Sequence, residues 1–222
     1  MHALNYPESI VARILERRGK LHVYDSLAGR NTALLVVDLQ NAYINGPGSI
    51  ATAREVVPNV NRLAAAVRTV GGTVIWIKNT LDGPSAPVWK TYPRLRSEEF
   101  VKRMREVLTE GSAGHELWHE LATEPMDIVH QKYRYSAFAG DQNDLESELR
   151  ARGIDTVLIC GMVTNVCCES TARDAMMKNL DVIMVSDGNA ARTDEEHMAS
   201  LLNVWQFFGD VMTTDEVIER LR

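Results

Sequence analysis

The chain has 222 residues, of which 45% are hydrophobic and 24% are charged, and its formal net charge is −6. This length suffices for one domain with a substantial hydrophobic core. The acidic balance argues against nucleic acid as a partner, and no apolar run approaches the ~20 residues that span a bilayer. The three cysteines, two of them adjacent, argue against a disulfide framework and predict a cytoplasmic protein.

Residues 1–30 are expected to form an N-terminal arm. Helical periodicity runs from Ser9 to Arg18 with Ser9 as the N-cap, and Gly19 and Gly29 then interrupt the pattern. The first residues lack a charged start followed by an apolar core, so they do not resemble a signal peptide. We expect the arm to pack on the domain or on a second subunit.

Strands and helices are predicted to alternate along residues 31–222. Continuous apolar runs are typical of strands that a parallel sheet buries on both faces; here they are Ala33–Asp38, Thr73–Lys78, Met126–His130, Thr156–Cys160, Asp181–Val185 and Gly209–Met212. Helical patterns cover Val56–Val70, Ser97–Leu108, Asp144–Arg152, a segment that starts near Cys167, Thr193–Phe208 and Thr214–Leu221. The alternation predicts a single α/β domain, a three-layer α-β-α fold with a mostly parallel six-stranded sheet.

A long excursion separates the second and third predicted strands. Such insertions are often lids or binding loops. Trp89 and Tyr92 could cover a substrate or anchor the loop. His115 and His119 have the spacing of helical metal ligands, but no third ligand is near in sequence, which favours a solvated surface helix.

Three polar side chains follow predicted strands at their carboxyl ends. Asp38 ends the first strand, Lys132 follows the third, and Cys167 lies beyond a turn after the fourth, where a helix begins. Open α/β sheets bind ligands at this edge, and a helix N-terminus lowers the pKa of a thiol. We therefore expect a catalytic site. The alternative is a buried inert cysteine, a turn-forming aspartate and a solvated lysine.

The two other cysteines are assigned to packing. Cys168 points about 100° away from Cys167 if both are helical, and Cys160 ends a core strand. A redox pair of Cys167 and Cys168 is disfavoured, because adjacent cysteines form a disulfide only with strained geometry.

Three segments resemble the isochorismatase-like cysteine hydrolases, a family that includes nicotinamidases, N-carbamoylsarcosine amidohydrolases and ureidoacrylate amidohydrolases. Gly161–Ala175 is similar to the nucleophile signature of the family, Val37–Asn41 to its aspartate strand, and Lys132 to its lysine. The resemblance covers the chain from Asn31 onward. It implies an isochorismatase-like, Rossmann-like hydrolase fold.

The resemblance also implies a mechanism based on an Asp-Lys-Cys catalytic triad. Cys167 would attack an amide or ureide carbonyl, Asp38 would take its proton, and Lys132 would hold the charges in place. Backbone N–H groups of Thr164 and Cys167 would bind the oxyanion, with a cis peptide between Val163 and Thr164. Ammonia or an amine would leave, and water would then hydrolyse the thioester.

Departures from related members narrow the expected type. Nicotinamidases carry an Asp/His metal cluster after the second strand, but residues 78–82 contain no histidine here, so we predict no metal and no cofactor. True isochorismatases lack the cysteine, so Cys167 argues against vinyl ether cleavage. The closest type is the ureidoacrylate or N-carbamoyl amidohydrolase, acting on a ureidoacrylate-, biuret- or triuret-like ureide. Candidate substrate-binding residues are Gln40, Asn41, Tyr43, Asn79, Trp89 and Tyr135.

Other functions stay open at this point. They are an amidase for a simple carboxamide such as maleamate, an isochorismatase-type hydrolase, a nitrilase-type amidase and an inactive α/β binding module. Alkylation of Cys167 well below pH 8 would separate an enzyme from an inactive module. Lys90 and Arg134 are candidates for binding a carboxylate of the small-molecule substrate. The apolar helices and the N-terminal arm predict a homo-oligomer, and the family resemblance implies a homodimer or homotetramer.

Overall fold

The computed structural model describes residues 1–140 and 144–222. Six strands form one sheet in the order β3-β2-β1-β4-β5-β6, and all of their pairings are parallel. The strands are β1 Thr32–Val37, β2 Thr73–Asn79, β3 Ile128–Lys132, β4 Thr156–Met162, β5 Asp181–Ala190 and β6 Asp210–Met212. The predicted α/β fold with a six-stranded sheet is confirmed.

Helices cover both faces of this sheet. They are α1 Glu8–Arg18, α2 Asn41–Ile44, α3 Val57–Thr69, α4 Glu98–Val107, α5 Leu145–Ala151, α6 Glu169–Met177, α7 Asp194–Phe207 and α8 Thr214–Arg220. Alternate residues of β1 divide between two cores, Leu34 and Val36 on the α3 side and Leu35 and Val37 on the α6 and α7 side. Among the described residues, no helix is both long enough and apolar enough to cross a membrane.

The strand order reverses direction between β1 and β4. The chain runs outward from β1 through β2 to β3, and then returns to the other side of β1 as β4. Such a reversal leaves a crevice beyond the carboxyl ends of the two central strands. Gly161 in β4 allows a close approach there, because a Cβ at this residue, whose φ is +116°, would lie 2.1 Å from the Val37 carbonyl oxygen.

The N-terminal helix packs on its own chain. Ile14 of α1 is buried in the α6 and α7 core. The Arg18 guanidinium donates hydrogen bonds to the carbonyls of Trp205 and Gly209, at the end of α7 and just before β6. A separation between an arm of residues 1–30 and a domain of residues 31–222 stays a prediction.

Residues 109–127 differ from the expected surface helix. This segment is irregular, and His115 in it is only 1% exposed, with its Nε2 atom 2.7 Å from Thr80 Oγ1. The segment is instead hydrogen-bonded to the loop after β1, because the backbone N–H of Trp118 donates to the Leu39 carbonyl. The prediction was wrong because these nonlocal hydrogen bonds override the local helical pattern.

Asp127 directly precedes β3 and anchors the start of this strand. Its carboxylate accepts hydrogen bonds from Arg68 Nε at 2.9 Å, Arg68 Nη2 at 2.6 Å and Trp76 Nε1 at 2.8 Å. Burial alone would raise the pKa of Asp127, but the hydrogen bonds from Arg68 and Trp76 hold it below its ordinary value of 3.8. The carboxylate therefore stabilises the fold above pH 3.8, and this contribution is lost as the pH falls through the lowered pKa.

Asp127→Ala should lower the free energy of unfolding at pH 7 by about 2–4 kcal/mol. The substitution removes the acceptor of the Trp76 indole N–H and the bidentate partner of Arg68, which keeps Glu124 and the Ala122 carbonyl. Asp215→Ala is the matched control, because the Arg62–Asp215 pair is exposed and should contribute less than about 1 kcal/mol. Urea unfolding measures both changes, and equal losses in the two variants would refute the assignment.

Candidate active site

Three residues meet at the crevice between β1 and β4. Asp38 follows β1 with a φ of +57°, a left-handed conformation that is uncommon for a residue other than glycine. Lys132 is the last residue of β3. Cys167 lies in a π-helical turn, Thr164–Cys168, that links β4 to α6. The predicted convergence of these side chains is therefore present.

The Lys132 ammonium lies between the other two side chains. Its Nζ atom is 2.9 Å from Asp38 Oδ2 and 3.4 Å from Cys167 Sγ, and it also donates to the Arg134 carbonyl at 3.1 Å. These contacts use all three donors of an ammonium group. Asp38, Lys132 and Cys167 are 2%, 0% and 6% exposed. The arrangement is a buried ion pair in contact with a thiol.

Burial and mutual interaction set the protonation of the three groups. Burial raises the pKa of Asp38, although Lys132 opposes this shift. Burial alone would lower the pKa of Lys132, but Asp38 and Cys167 raise it, so the ammonium stays charged. Burial, followed by the Asp38 carboxylate, raises the pKa of Cys167 to about 12.

The raised pKa of Cys167 corrects an expectation from the sequence. A helix N-terminus and Lys132 favour thiolate, but the desolvated sulfur faces a carboxylate as well. Cys167 is thus a thiol near neutral pH, and attack by sulfur requires a base. Asp38 can supply one, since its carboxylate lies within reach of the Cys167 thiol and the two groups shift each other's pKa.

A cavity of about 130 Å³ opens on Cys167 and Asp38. An apolar protein cavity of roughly this size holds one benzene molecule, so the space suits a small ligand. Most of the wall is apolar, with a few polar groups, as is typical of small-molecule sites. Besides Asp38 and Cys167 the lining residues are Tyr43, Gly48, Asn79, Tyr92, Arg96, Phe100, Met104, Tyr135, Met162, Val163 and Val166.

Three of the predicted substrate-binding residues line this cavity, namely Tyr43, Asn79 and Tyr135. The Asn79 amide nitrogen donates to the Tyr43 hydroxyl at 2.6 Å. Asn79 Oδ1 is buried and receives no hydrogen bond from the described residues. Asn79 therefore has an acceptor available for a ligand.

Gln40, Asn41 and Trp89 do not line the cavity. The Gln40 amide is fully engaged, since its nitrogen donates to the Asn79 and His115 carbonyls and its oxygen accepts from the Asn79 N–H. Asn41 donates to the Ala113 carbonyl. Trp89 packs against the rings of two lining residues, Tyr135 at 4.8 Å and Tyr92 at 5.0 Å. Gln40 and Trp89 thus contact lining residues from outside the cavity, whereas Asn41 donates to a residue that does not line it.

The turn before Cys167 differs from the expectation by one residue. The cis peptide joins Met162 to Val163, not Val163 to Thr164, because β4 ends at Met162 and the turn begins directly after it. Val163 lines the cavity, whereas Thr164 does not. The Thr164 hydroxyl lies 2.9 Å from His197 Nδ1 instead.

Sequence reasoning named Tyr92 of the long excursion, which lines the cavity, but missed three other wall residues from the same segment. Arg96, Phe100 and Met104 line the cavity from this segment. The four-residue spacing of Phe100 and Met104 could have indicated a shared helix face, but no local pattern marks Arg96. The carboxylate candidates Lys90 and Arg134 are not among the lining residues.

The described residues contain no group of three or more His, Cys, Asp or Glu side chains placed to hold a metal ion.

Comparisons with known proteins agree with this fold. Residues 32–216 match the isochorismatase domain. Ureidoacrylate amidohydrolase RutB of Variovorax paradoxus is 36% identical over 213 residues, 87% of this chain and 82% of that protein. RutB of Azorhizobium caulinodans is 35% identical over 85% of this chain and 89% of its own.

Solved structures show the same relationship. A cysteine hydrolase from Pseudomonas syringae pv. phaseolicola superposes with a TM-score of 0.79 at 30% identity, over 90% of this chain and 96% of that one. N-carbamoylsarcosine amidase from Thermoplasma acidophilum superposes with a TM-score of 0.68 at 28% identity, over 83% of this chain and 97% of that one. The fold and its matches define an α/β hydrolase. The chain belongs to the isochorismatase family, which confirms the resemblance in the sequence.

Proposed function

We propose that this chain is an amidohydrolase that cleaves a C–N bond of a small ureide through a thioester on Cys167. The observation that carries the proposal is the Lys132 ammonium, which contacts both the Asp38 carboxylate and the Cys167 thiol at the wall of a small cavity. A base, a cation and a nucleophile in contact are the parts that acyl transfer requires.

The reaction then follows from the protonation states. Asp38 accepts the Cys167 proton as sulfur attacks the ureide carbonyl, and Lys132 stays charged and stabilises both partners. The backbone N–H groups of Val163 and Cys167 are the candidate donors to the oxyanion, with Val163 in place of Thr164. Asp38 returns the proton to the leaving nitrogen as the C–N bond breaks. Water next attacks the thioester and gives a proton to Asp38. As the C–S bond breaks, Asp38 passes this proton to the leaving Cys167 sulfur, which restores the thiol and the carboxylate.

Two unfilled acceptors favour a ureide over a simple carboxamide. Asp38 Oδ1 and Asn79 Oδ1 are both buried beside the cavity without a donor among the described residues. A ureide carries N–H groups on both sides of its carbonyl, whereas a carboxamide carries them on one side only. A ureide can reach the two acceptors from both sides of one carbonyl, whereas a primary carboxamide must reach both from a single nitrogen, and each acceptor left unfilled is desolvated at a cost. The names of the ureidoacrylate amidohydrolase relatives support the same substrate class.

Ammonia release across a panel of small ureides and amides tests the proposal. The panel comprises ureidoacrylate, N-carbamoyl amino acids, biuret, triuret, maleamate and nicotinamide. We expect one ureide to exceed both carboxamides in kcat/KM by about 10-fold or more, because each unsatisfied buried acceptor costs roughly 1–3 kcal/mol. A preference for maleamate or nicotinamide would contradict the ureide assignment, and no turnover in the panel would contradict the amidohydrolase.

The pH dependence of turnover should report Asp38. Only the carboxylate can accept a proton, so kcat/KM should rise with pH through the pKa of Asp38, which burial places above the ordinary 3.8. Asp38→Asn should lower kcat/KM by about 10²–10⁴ and remove this acid limb. pH profiles of both proteins measure the effect. If Asp38→Asn kept the acid limb of the profile, that limb would report the titration of another group.

The cytoplasmic location and the homodimer or homotetramer stay predictions. All three cysteines are free thiols in buried positions, which suits a reducing compartment. Light scattering after size exclusion measures the assembly.

A further inference from the structure

Arg96 places a cation in the cavity wall, in addition to the Lys132 ammonium behind Asp38 and Cys167. It follows a 3₁₀ turn, Tyr92–Leu95, and is half-buried. Its guanidinium stacks on the Tyr92 ring at 4.2 Å, donates to the Tyr92 carbonyl at 3.1 Å and donates to the Tyr135 hydroxyl. Both tyrosines also line the cavity. The guanidinium is thus held in one orientation by its neighbours.

No carboxylate among the described residues lies within ion-pair distance of Arg96. Arg68, in contrast, is paired with Asp127 at 2.6 Å. A guanidinium has five N–H donors, and Arg96 uses two of them on Tyr92 and Tyr135. A partly desolvated cation with free donors favours an anion beside it.

Lys132 cannot take this anion. Its three donors are already used by Asp38, Cys167 and the Arg134 carbonyl. Among the described lining residues, Arg96 is therefore the cation with donors to offer a ligand.

Resting on the ureide amidohydrolase proposed above, we propose that Arg96 binds a carboxylate of the substrate. The preferred substrates are then ureido acids, in which one molecule carries the ureide group and a free carboxylate. Guanidinium and carboxylate form paired, charge-assisted hydrogen bonds, and the tyrosine contacts orient the guanidinium for them. Neutral ureides such as biuret lack the group that Arg96 selects.

Steady-state kinetics on a matched substrate pair test the inference. The pair is an N-carbamoyl amino acid and its uncharged methyl ester, assayed with the unmodified enzyme, Arg96→Gln and Arg96→Lys. Arg96→Gln should raise KM for the acid by about 10- to 100-fold, the loss of one charged hydrogen-bonded contact, with kcat within a few-fold. KM for the ester should stay unchanged. Arg96→Lys keeps the charge without the paired geometry. Its KM for the acid should therefore lie between those of the unmodified enzyme and Arg96→Gln.

Arg94→Gln is the matched control, because Arg94 belongs to the same 3₁₀ turn, is exposed and does not line the cavity. It should leave both KM values unchanged. Equal losses for acid and ester in Arg96→Gln would overturn the inference and indicate a damaged wall. An unchanged KM for the acid would overturn it as well.

A binding measurement separates this inference from the proposed function. Calorimetric titration of Cys167→Ala with acrylate, a carboxylate without a ureide, should show saturable binding that Arg96→Gln removes. If acrylate binding depends on Arg96 but no ureide is hydrolysed, the proposed reaction is contradicted and the carboxylate site is supported. If a ureide is hydrolysed but Arg96→Gln leaves acrylate binding unchanged, the reaction is supported and the carboxylate site is contradicted.

Discussion

Cys167→Ser should lower kcat/KM for the preferred ureide by about 10³-fold or more. A serine hydroxyl is a weaker acid than a thiol, and Asp38 must already work against the raised pKa of this buried site. The substitution changes little volume, so the free energy of unfolding should hold within about 1 kcal/mol. Steady-state assays and urea unfolding measure the two effects.

The neighbouring cysteine provides the control. Cys168 is fully buried in the α6 and α7 core and does not line the cavity. Cys168→Ala should cost about 1 kcal/mol of stability or somewhat more, through lost packing, and keep most of the activity. If both variants lost activity equally, the turn as a whole and not the Cys167 sulfur would be essential.

Lys132→Met should lower kcat/KM by about 10³-fold and the free energy of unfolding near pH 7 by about 3–5 kcal/mol. The methionine leaves the buried Asp38 carboxylate without its ammonium partner. The pKa of Asp38, already raised by burial, would rise further, and a protonated Asp38 cannot accept the Cys167 proton.

The stability loss of Lys132→Met should shrink as the pH falls. An aspartate whose folded pKa lies above its unfolded value binds more protons when folded, so lower pH favours the folded state. Adding Asp38→Asn should recover stability but not activity. Lys78→Met is the control, since it removes a buried lysine but leaves behind only the exposed Glu116 carboxylate, which water solvates, so it should cost less than about 1 kcal/mol. A loss that does not change with pH would show that Asp38 is not the group responsible.

Local patterns were sufficient to predict the sheet and the convergence of Asp38, Lys132 and Cys167 at one of its edges. Apolar runs such as Leu34–Val37 identify strands because burial on both faces excludes polar residues from them. The carboxyl ends of parallel strands share one edge, so Asp38, Lys132 and Cys167 could be placed together without knowing any distance.

Properties that depend on tertiary contacts could not be predicted from the sequence. The pKa of Cys167 depends on a carboxylate from another strand, and His115 is buried because Thr80 and the loop after β1 pair with its segment. Arg96 lies in the irregular stretch before the helix of the insertion, and only the folded chain brings it to Tyr135. The Gln40 side chain carries an amide that could bind a ligand, but this amide is already hydrogen-bonded to backbone groups of Asn79 and His115.

Intact-protein mass spectrometry after acid quench during turnover tests the central claim most directly. We predict a population of the enzyme that is heavier by the acyl fragment of the ureide, with the added mass on the peptide that contains Cys167 and absent from Cys167→Ser. Ureide hydrolysis retained by Cys167→Ser, with no added mass on the unmodified enzyme, would contradict the thioester mechanism.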